Sequence, residues 1–357
     1  MEPLVFNTTD DLDEILEVAE VDVATFHGGR LLITGASGFV GRWFVESVLW
    51  ANRRLNAQIR VVLLARNVHG FITRFPQIAS AREVELLHGD VLRPLSTGGS
   101  FDGIFHAATV PADGHDEQNN PGRAIFDGAL RGTENVLAAM ARNPLASMLF
   151  TSSGAIYGRQ SSQTHALGET VTSGPDPLSS DSAYAEGKRA AEFLCRAAVD
   201  DGLKVKVARL FAFVGPYLPL NRTFAAGNFI RDALSGGPIV VRGDGRTMRS
   251  YLYASDMTAW LWRVFAQGKA GRAYNVGSNR ATTIAELADL ISLRVHSVAS
   301  ITERLAEHIG PVPSYLPDVS RIKNELGVEE RVSLEAALER TLAYYRDSAT
   351  GLPRNLS

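Results

Sequence analysis

The chain lacks nearly everything that would mark it as specialised. Among 357 residues Cys195 is the only cysteine, which excludes an intramolecular disulfide framework and a cysteine-based zinc cluster and suits a reducing compartment. No apolar run is long enough to cross a bilayer, and the acidic stretch from Met1 to Glu20 has neither the basic nor the apolar segment of a leader. A soluble, unprocessed, cytoplasmic protein is expected, with no metal site. There is no Lys/Arg-dense run and the formal net charge is -3, which argues against a nucleic-acid partner and for a small one. Internal repeats and low-complexity tracts are missing too. What remains is ordinary globular material, 45% hydrophobic and 21% charged, able to bury a core unaided.

Within that plain background one stretch stands out. The aliphatic run Leu31-Leu32-Ile33 leads through Thr34 into Gly35-Ala36-Ser37-Gly38-Phe39-Val40-Gly41, and residues 42–49 then carry apolar side chains at helical spacing. Strand, tight turn and helix follow one another. Glycine permits positive φ and lets backbone N–H groups approach a pyrophosphate at the positive end of the helix. Gly35, Ser37, Gly38, Phe39, Val40 and Gly41 are therefore candidate nucleotide-binding residues.

Further strands are expected at Ile59 to Arg66, Val84 to Asp90, Gly103 to Ala108, Ser147 to Ser153 and Lys204 to Phe211, with helices between them, one from Arg123 to Arg142. Such alternation implies right-handed parallel crossovers and a doubly wound α/β sheet, whose ligands bind at the carboxyl ends of the strands. Ahead of it, Thr8 to Ala19 reads as an amphipathic helix that docks either on its own domain or on a partner. After Gly215 short strands (Ile239 to Arg242, Ser250 to Tyr253, Arg272 to Val276) alternate with helices (228–235, 255–267, 283–296 and 333–345). The expected organisation is an N-terminal arm at 1–28, a dinucleotide-binding domain at 29–213 and a smaller substrate-binding α/β region at 214–357 that interleaves with it.

Ser153 closes a strand, and Tyr184 and Lys188 stand four apart on the helix after a long loop, so phenol and ammonium share one helical face. A neighbouring lysine is expected to lower the phenol's pKa from its ordinary value of roughly 10, letting the tyrosine exchange a proton while Ser153 holds the same substrate oxygen. Such a trio suits a carbonyl or alcohol that exchanges a hydride with a nicotinamide.

The turn at 34–41, Asp90-Val91, Ile104 to Ala108, Gly132-Thr133-Glu134-Asn135-Val136-Leu137, Ser152 to Gly158, the Tyr184/Lys188 pair, Gly243 to Tyr253, Tyr274 to Gly277 and Pro317 to Arg321 occur in that order. In this the chain resembles the extended short-chain dehydrogenases/reductases over residues 30–347, and more narrowly the nucleotide-sugar epimerases, dehydratases and reductases of surface-polysaccharide synthesis. The resemblance implies a Rossmann-type sheet, pyrophosphate at the three glycines, adenine at Asp90 and Val91, and cofactor contacts at Ala107 and Ala108. It also implies nicotinamide ribose at Tyr184 and Lys188, a catalytic Ser153, and nucleotide or diphosphate contacts at Asn228 and Arg249.

Departures from the family pattern narrow the reaction. Where dehydratases of the family carry an Asp and a Glu directly after the catalytic hydroxyl, this chain has Gly154 and Ala155, which disfavours a 4,6-dehydration. Where NAD enzymes carry an acid for the ribose 2′-hydroxyl, it has Ala65 followed by Arg66, which favours the 2′-phosphate of NADP, with NAD as the alternative. Ala129 and Ala212 replace asparagines common in relatives. The expected activity is NADP(H)-linked reduction of a keto group on a nucleoside-diphosphate sugar. An NAD-dependent 4-epimerase is the alternative, and a non-catalytic NAD(P)-binding sensor is a third class. Apolar stripes on the helices bearing Ile125, Ala129, Val136, Leu137 and Met140 and bearing Ala190, Ala191, Phe193, Leu194 and Ala198 suggest a homodimer through those two helices. Coverage of that excess by the N-terminal helix is the competing reading.

Overall fold

The computed structural model describes residues 8–109, 121–158, 160, 166–221, 224–295, 300–301 and 312–349. Strands β1 (Arg30–Thr34), β2 (Arg60–Ala65), β3 (Val84–His88), β4 (Gly103–His106), β5 (Ser147–Ser153) and β6 (Lys204–Leu210) and a seventh strand, Ala273–Val276, form one sheet. Their spatial order is seventh, β6, β5, β4, β1, β2, β3, and every pair is parallel. The chain order reverses between β1 and β4, where a doubly wound sheet opens a crevice at its carboxyl edge. In chain order the helices are α1 (Thr9–Ala24), α2 (Phe39–Arg54), α3 (Val68–Arg74), α4 (Pro76–Ala79), α5 (Pro121–Ala141), α6 (Ala183–Asp200), α7 (Ala225–Leu234), α8 (Ala254–Gln267), α9 (Ile284–Arg294), α10 (Ser320–Leu326) and α11 (Leu334–Ala349).

The period of two along each strand divides the core into two layers. Leu31, Ile33 and Phe105 pack with Trp43, Phe44, Trp262 and Phe265 from α2 and α8. Leu32, Ile104, Met148 and Phe150 pack on the other face with Val136 and Met140 of α5 and Ala191 and Cys195 of α6. Helix α1 joins the first layer through Leu12, Ile15, Ala19 and Val23. Its acids reach across to the C-terminal half: Asp22 pairs with Arg263 at 2.7 Å, and Asp11 and Glu14 pair with Arg340 of α11 at 2.9 and 2.8 Å. The N-terminal helix therefore docks on its own chain, and it runs beyond the expected end at Ala19 to Ala24.

Several placements were beyond the reach of sequence periodicity. The strand near Arg272 to Val276 pairs with β6 as the edge of the main sheet. Met248–Arg249 lies between Thr282–Thr283 and Ser314–Tyr315 in a three-stranded element that periodicity did not show. Helix α9 starts at a capping box of Thr283 and Glu286, while His296, the end expected for it, lies outside the described residues. So does part of the loop between Gly158 and Ser182. On α6, Ala191 and Ala198 face the core, but Phe193 is 72% exposed. Because α1 belongs to the opposite layer, it does not cover that ring. Among the described residues no helix is long and apolar enough to cross a membrane.

Candidate active site

Two of the three glycines in the first turn are demanded by the chain itself. Gly35 has φ of +77°, and a Cβ there would lie 2.5 Å from the carbonyl of Ala107; a Cβ on Gly41 would lie 2.1 Å from the Gly35 oxygen. Gly38 differs. A Cβ there would meet only the Gly35 oxygen at 3.4 Å, and both Ser37 and Gly38 are exposed, so the protein leaves that side open to a close visitor. Gly38 caps α2 without a side-chain bond, and the first turn carries no acid, so the N–H groups of Phe39, Val40 and Gly41 present an unneutralised positive helix end. This cradle fits a pyrophosphate.

The facing wall, Ala107-Ala108, follows the end of β4 and is held by a chain of hydroxyls that sequence reading missed. The Ala108 N–H donates to Thr34 Oγ1 at 3.2 Å. Thr34 Oγ1 lies 2.7 Å from His106 Nδ1, and His106 Nε2 lies 3.1 Å from Thr133 Oγ1, which gives its one proton to the Ala129 carbonyl at 2.8 Å. Thr133 must therefore accept from Nε2–H, Nδ1 must accept from Thr34, and a Thr34 lone pair is left for Ala108. Burial, reinforced by the charge of Lys188, pushes the imidazole pKa down to about 3, so the ring stays neutral as this pattern requires. A histidine next to a strand end was the visible signal, but its partners come from β1 and α5.

At the ends of β5 and α6 the proton-handling trio assembles. Ser153 Oγ accepts the Ala155 N–H at 3.1 Å and so caps the short turn Gly154–Tyr157. Tyr184 is half-buried; burial raises its phenol's pKa and a hydrogen bond with Ser153 opposes the rise. The expectation that Lys188 lowers this pKa is corrected here. The Lys188 ammonium, 2% exposed, donates to the Thr151 carbonyl at 2.8 Å and sits 4.8 Å from the Phe150 ring centroid. Burial brings its own pKa down to about 8.

Tyr315, a residue the sequence did not single out, brings a second phenol beside Ser153, its hydroxyl filling the space that a Cβ on Gly154 would take; burial raises its pKa. Arg249 is half-buried, donates to its neighbour's carbonyl at Met248, has its guanidinium carbon 5.4 Å from the Tyr315 ring centroid, and forms no ion pair among the described residues. Arg66 lies just past β2, exposed, without a hydrogen bond or ion pair among the described residues. Asp90 closes a turn by accepting the Leu92 N–H at 3.0 Å, and the Val91 carbonyl takes the Asn135 amide at 2.7 Å. Asn228 on α7 accepts from Arg231 at 3.2 Å, and no hydrogen bond ties it to the Ser153 cluster among the described residues. Ala129 is buried where α5 crosses α6, and a Cβ added to Gly187 would lie 3.1 Å from its own.

Comparison with known proteins agrees with this geometry. Residues 31–277 match the NAD dependent epimerase/dehydratase family, and the chain belongs to that family. It is 30% identical over 319 residues to UDP-glucuronic acid decarboxylase 1 of Xenopus tropicalis, covering 89% of this chain and 72% of the relative. In fold it is similar to UDP-glucose 4-epimerase of Thermotoga maritima, solved with UDP-glucose (TM-score 0.73, 21% identity, 90% and 99% coverage). It is likewise similar to dTDP-glucose 4,6-dehydratase of Streptomyces venezuelae, solved with NAD bound (TM-score 0.73, 24% identity, 90% and 98% coverage).

Proposed function

We propose that the chain is an NADP(H)-linked oxidoreductase that reduces a keto group on a nucleoside-diphosphate sugar. The observation that carries the reading is what surrounds Ser153. Its described neighbours are phenols, Tyr184 and Tyr315, with Gly154 and Ala155 following it, so the site holds groups that grip and protonate an oxygen. Positions 154 and 155 carry no carboxylates of the kind an elimination uses. In this reading the three glycines and the α2 N-terminus hold the pyrophosphate, Asp90 and Val91 flank the adenine, Ala107 and Ala108 line the crevice, and Lys188 holds the nicotinamide ribose. The nicotinamide supplies the hydride when bound. Tyr184 gives its proton to the sugar oxygen while Ser153 orients that oxygen. Arg249, with no ion pair among the described residues, offers a planar fork to the diphosphate, and Asn228 assists it.

Arg66 supports NADP over NAD, because a carboxylate at the end of β2 would repel a 2′-phosphate and a guanidinium attracts one. A second reading, an NAD-dependent 4-epimerase, is favoured by the same Ser153–Tyr184 pair, which serves oxidation and re-reduction equally well. The exposed Phe193 supports a homodimer through α5 and α6. A cytoplasmic role in supplying sugars for surface polysaccharide fits both readings.

The test is direct. Purified protein is given a nucleoside-diphosphate 4-keto sugar with NADPH or NADH, and the reduced nicotinamide is followed by absorbance. Stoichiometric consumption, faster with NADPH, is expected. Interconversion of two nucleotide sugars with no net consumption would replace the reductase by the epimerase, and absence of both cofactor binding and turnover would sink both.

A further inference from the structure

Ser153 and Tyr184 come to the site from different elements. The serine ends β5 and caps the short turn Gly154–Tyr157, whereas the tyrosine stands in the first turn of α6, with a long connection between them. Two groups that share one oxygen must keep a fixed separation, because a misplacement of about 1 Å can cost roughly 10²-fold in rate. The turn after Ser153 therefore has to be tied to the helix that carries Tyr184.

Arg209 stands where such a tie can be made. The period of two along β6 puts it on the same face as Val205 and Val207, which pack in the layer under α6. Helical spacing puts Glu192 on the face of α6 that carries Lys188 and Tyr184, one and two turns earlier. The guanidinium grips the two Glu192 oxygens as a fork, Nη2 at 2.7 Å and Nε at 3.1 Å, and the two side chains are only 13% and 14% exposed. Its third nitrogen, Nη1, donates to the Tyr157 hydroxyl at 2.8 Å, and Tyr157 ends the turn that Ser153 caps. The phenol in turn donates to Asn275 Oδ1 at 2.8 Å. Asn275 is the register partner of Arg209 on the seventh strand, and its amide protons go to the carbonyls of Leu167 at 2.7 Å and Asp318 at 3.0 Å. Donor and acceptor directions are thus fixed from Glu192 to Asn275, and a polar network satisfied at each member is rigid. The exposed Arg189 of α6 adds a lighter contact, donating to the Ile156 carbonyl at 3.3 Å.

We propose that Arg209 is a positioning residue for proton transfer: by gripping Glu192 on α6 and Tyr157 on the turn, it sets the separation of Tyr184 and Ser153. The proposal rests on the reading that those two act on one sugar oxygen. Arg209 moves no proton itself and works only through Glu192 and Tyr157. Lysine cannot stand in for it, because a compact ammonium does not span both partners as the planar fork does.

The experiment is a double-mutant cycle on kcat with the near-isosteric Tyr157→Phe and Glu192→Met, singly and together, run beside Arg209→Lys and Tyr184→Phe. The turnover followed is the one wild type shows, net reduction or epimerisation, since both use the Ser153–Tyr184 pair, and it is expressed per cofactor-binding site. Cutting either arm frees the turn from the helix, so each single variant is expected to lose about 5- to 50-fold in kcat, short of a full 1 Å slip because Arg189 still touches the turn. KM and cofactor affinity are expected to stay within about threefold of wild type. The double variant is expected to match the worse single variant within about twofold, and Arg209→Lys to fall to the same level. Losses that multiply in the double variant would make the two arms independent contacts and overturn the proposal. Wild-type kcat in Arg209→Lys would overturn it too, as would a loss of cofactor affinity equal to the loss of kcat, which marks general loosening. With Tyr184→Phe inactive, each of these results leaves the proton-donor reading standing. Turnover that survives in Tyr184→Phe, or a wild type with neither activity, would overturn both.

Discussion

The clearest separation of structural from binding glycines is a pair of alanine substitutions in the first turn. In Gly41→Ala the new methyl would stand 2.1 Å from the Gly35 oxygen, 2.7 Å from its carbonyl carbon and 3.0 Å from the Ala36 Cα. All three are backbone atoms, so no side chain can swing aside and α2 must back away from β1. Overpacking of this kind costs about 1–3 kcal/mol, or a melting temperature lowered by at least a few degrees in a chain of this size. The displaced helix end also loses its aim at the pyrophosphate. In Gly38→Ala the methyl meets one oxygen at 3.4 Å, and φ of -83° with ψ of 169° suits alanine. Reduced freedom of the unfolded chain, worth about 0.4–1 kcal/mol, works against the poorer capping by alanine, so stability should change by less than about 1 kcal/mol. Nucleotide affinity should nevertheless fall at least tenfold, because the methyl occupies the approach path. Differential scanning fluorimetry and cofactor titration on both variants give the answer. If Gly38→Ala bound NADPH like wild type, the pyrophosphate would not sit against this turn; if Gly41→Ala melted like wild type, the close approach of α2 to β1 would be in error.

Other expectations follow from the same geometry. Tyr184→Phe should lose about 10²–10⁴ in kcat with cofactor affinity within a few-fold, since the ring still packs; near-normal turnover would remove the residue from its role. Arg66→Ala should weaken NADPH more than NADH in parallel titrations, and equal losses would contradict the NADP assignment. Lys188, held near a pKa of about 8 by burial against an ordinary 10.4, is protonated in the unfolded chain but increasingly neutral in the folded one as pH rises past 8. Here the unfolded state binds more protons, so its contribution to stability increases with pH. The ligand-free protein should accordingly gain in urea midpoint between pH 8 and about 9 relative to Lys188→Met, and parallel curves would refute the buried charge. If the proposed homodimer forms through α5 and α6, replacing the 72% exposed Phe193 by aspartate should halve the mass seen in light scattering; a monomeric wild type or an unchanged dimer mass in the variant would refute that interface.

How much of this could be read from sequence depended on how far apart the cooperating residues lie. The β1 turn and α2 are contiguous, so the glycine spacing carried both conformation and contact, and the Tyr184–Lys188 step placed two side chains on one helix face because helical periodicity is local. What periodicity cannot supply is the partner across the fold. Nothing near Lys188 in sequence announces that the Thr151 carbonyl takes its ammonium, and the balance at Tyr184 turned on burial, a property of the folded chain rather than of a four-residue step. The strand at Ala273–Val276 was visible as a strand, but only its pairing with β6 puts the Asn275 amide within reach of the Leu167 and Asp318 carbonyls. The absent carboxylates at 154 and 155 were legible as a loss. Their counterpart, the Tyr315 phenol brought in by a distant strand to fill the space Gly154 leaves, has no signal in the residues around Ser153.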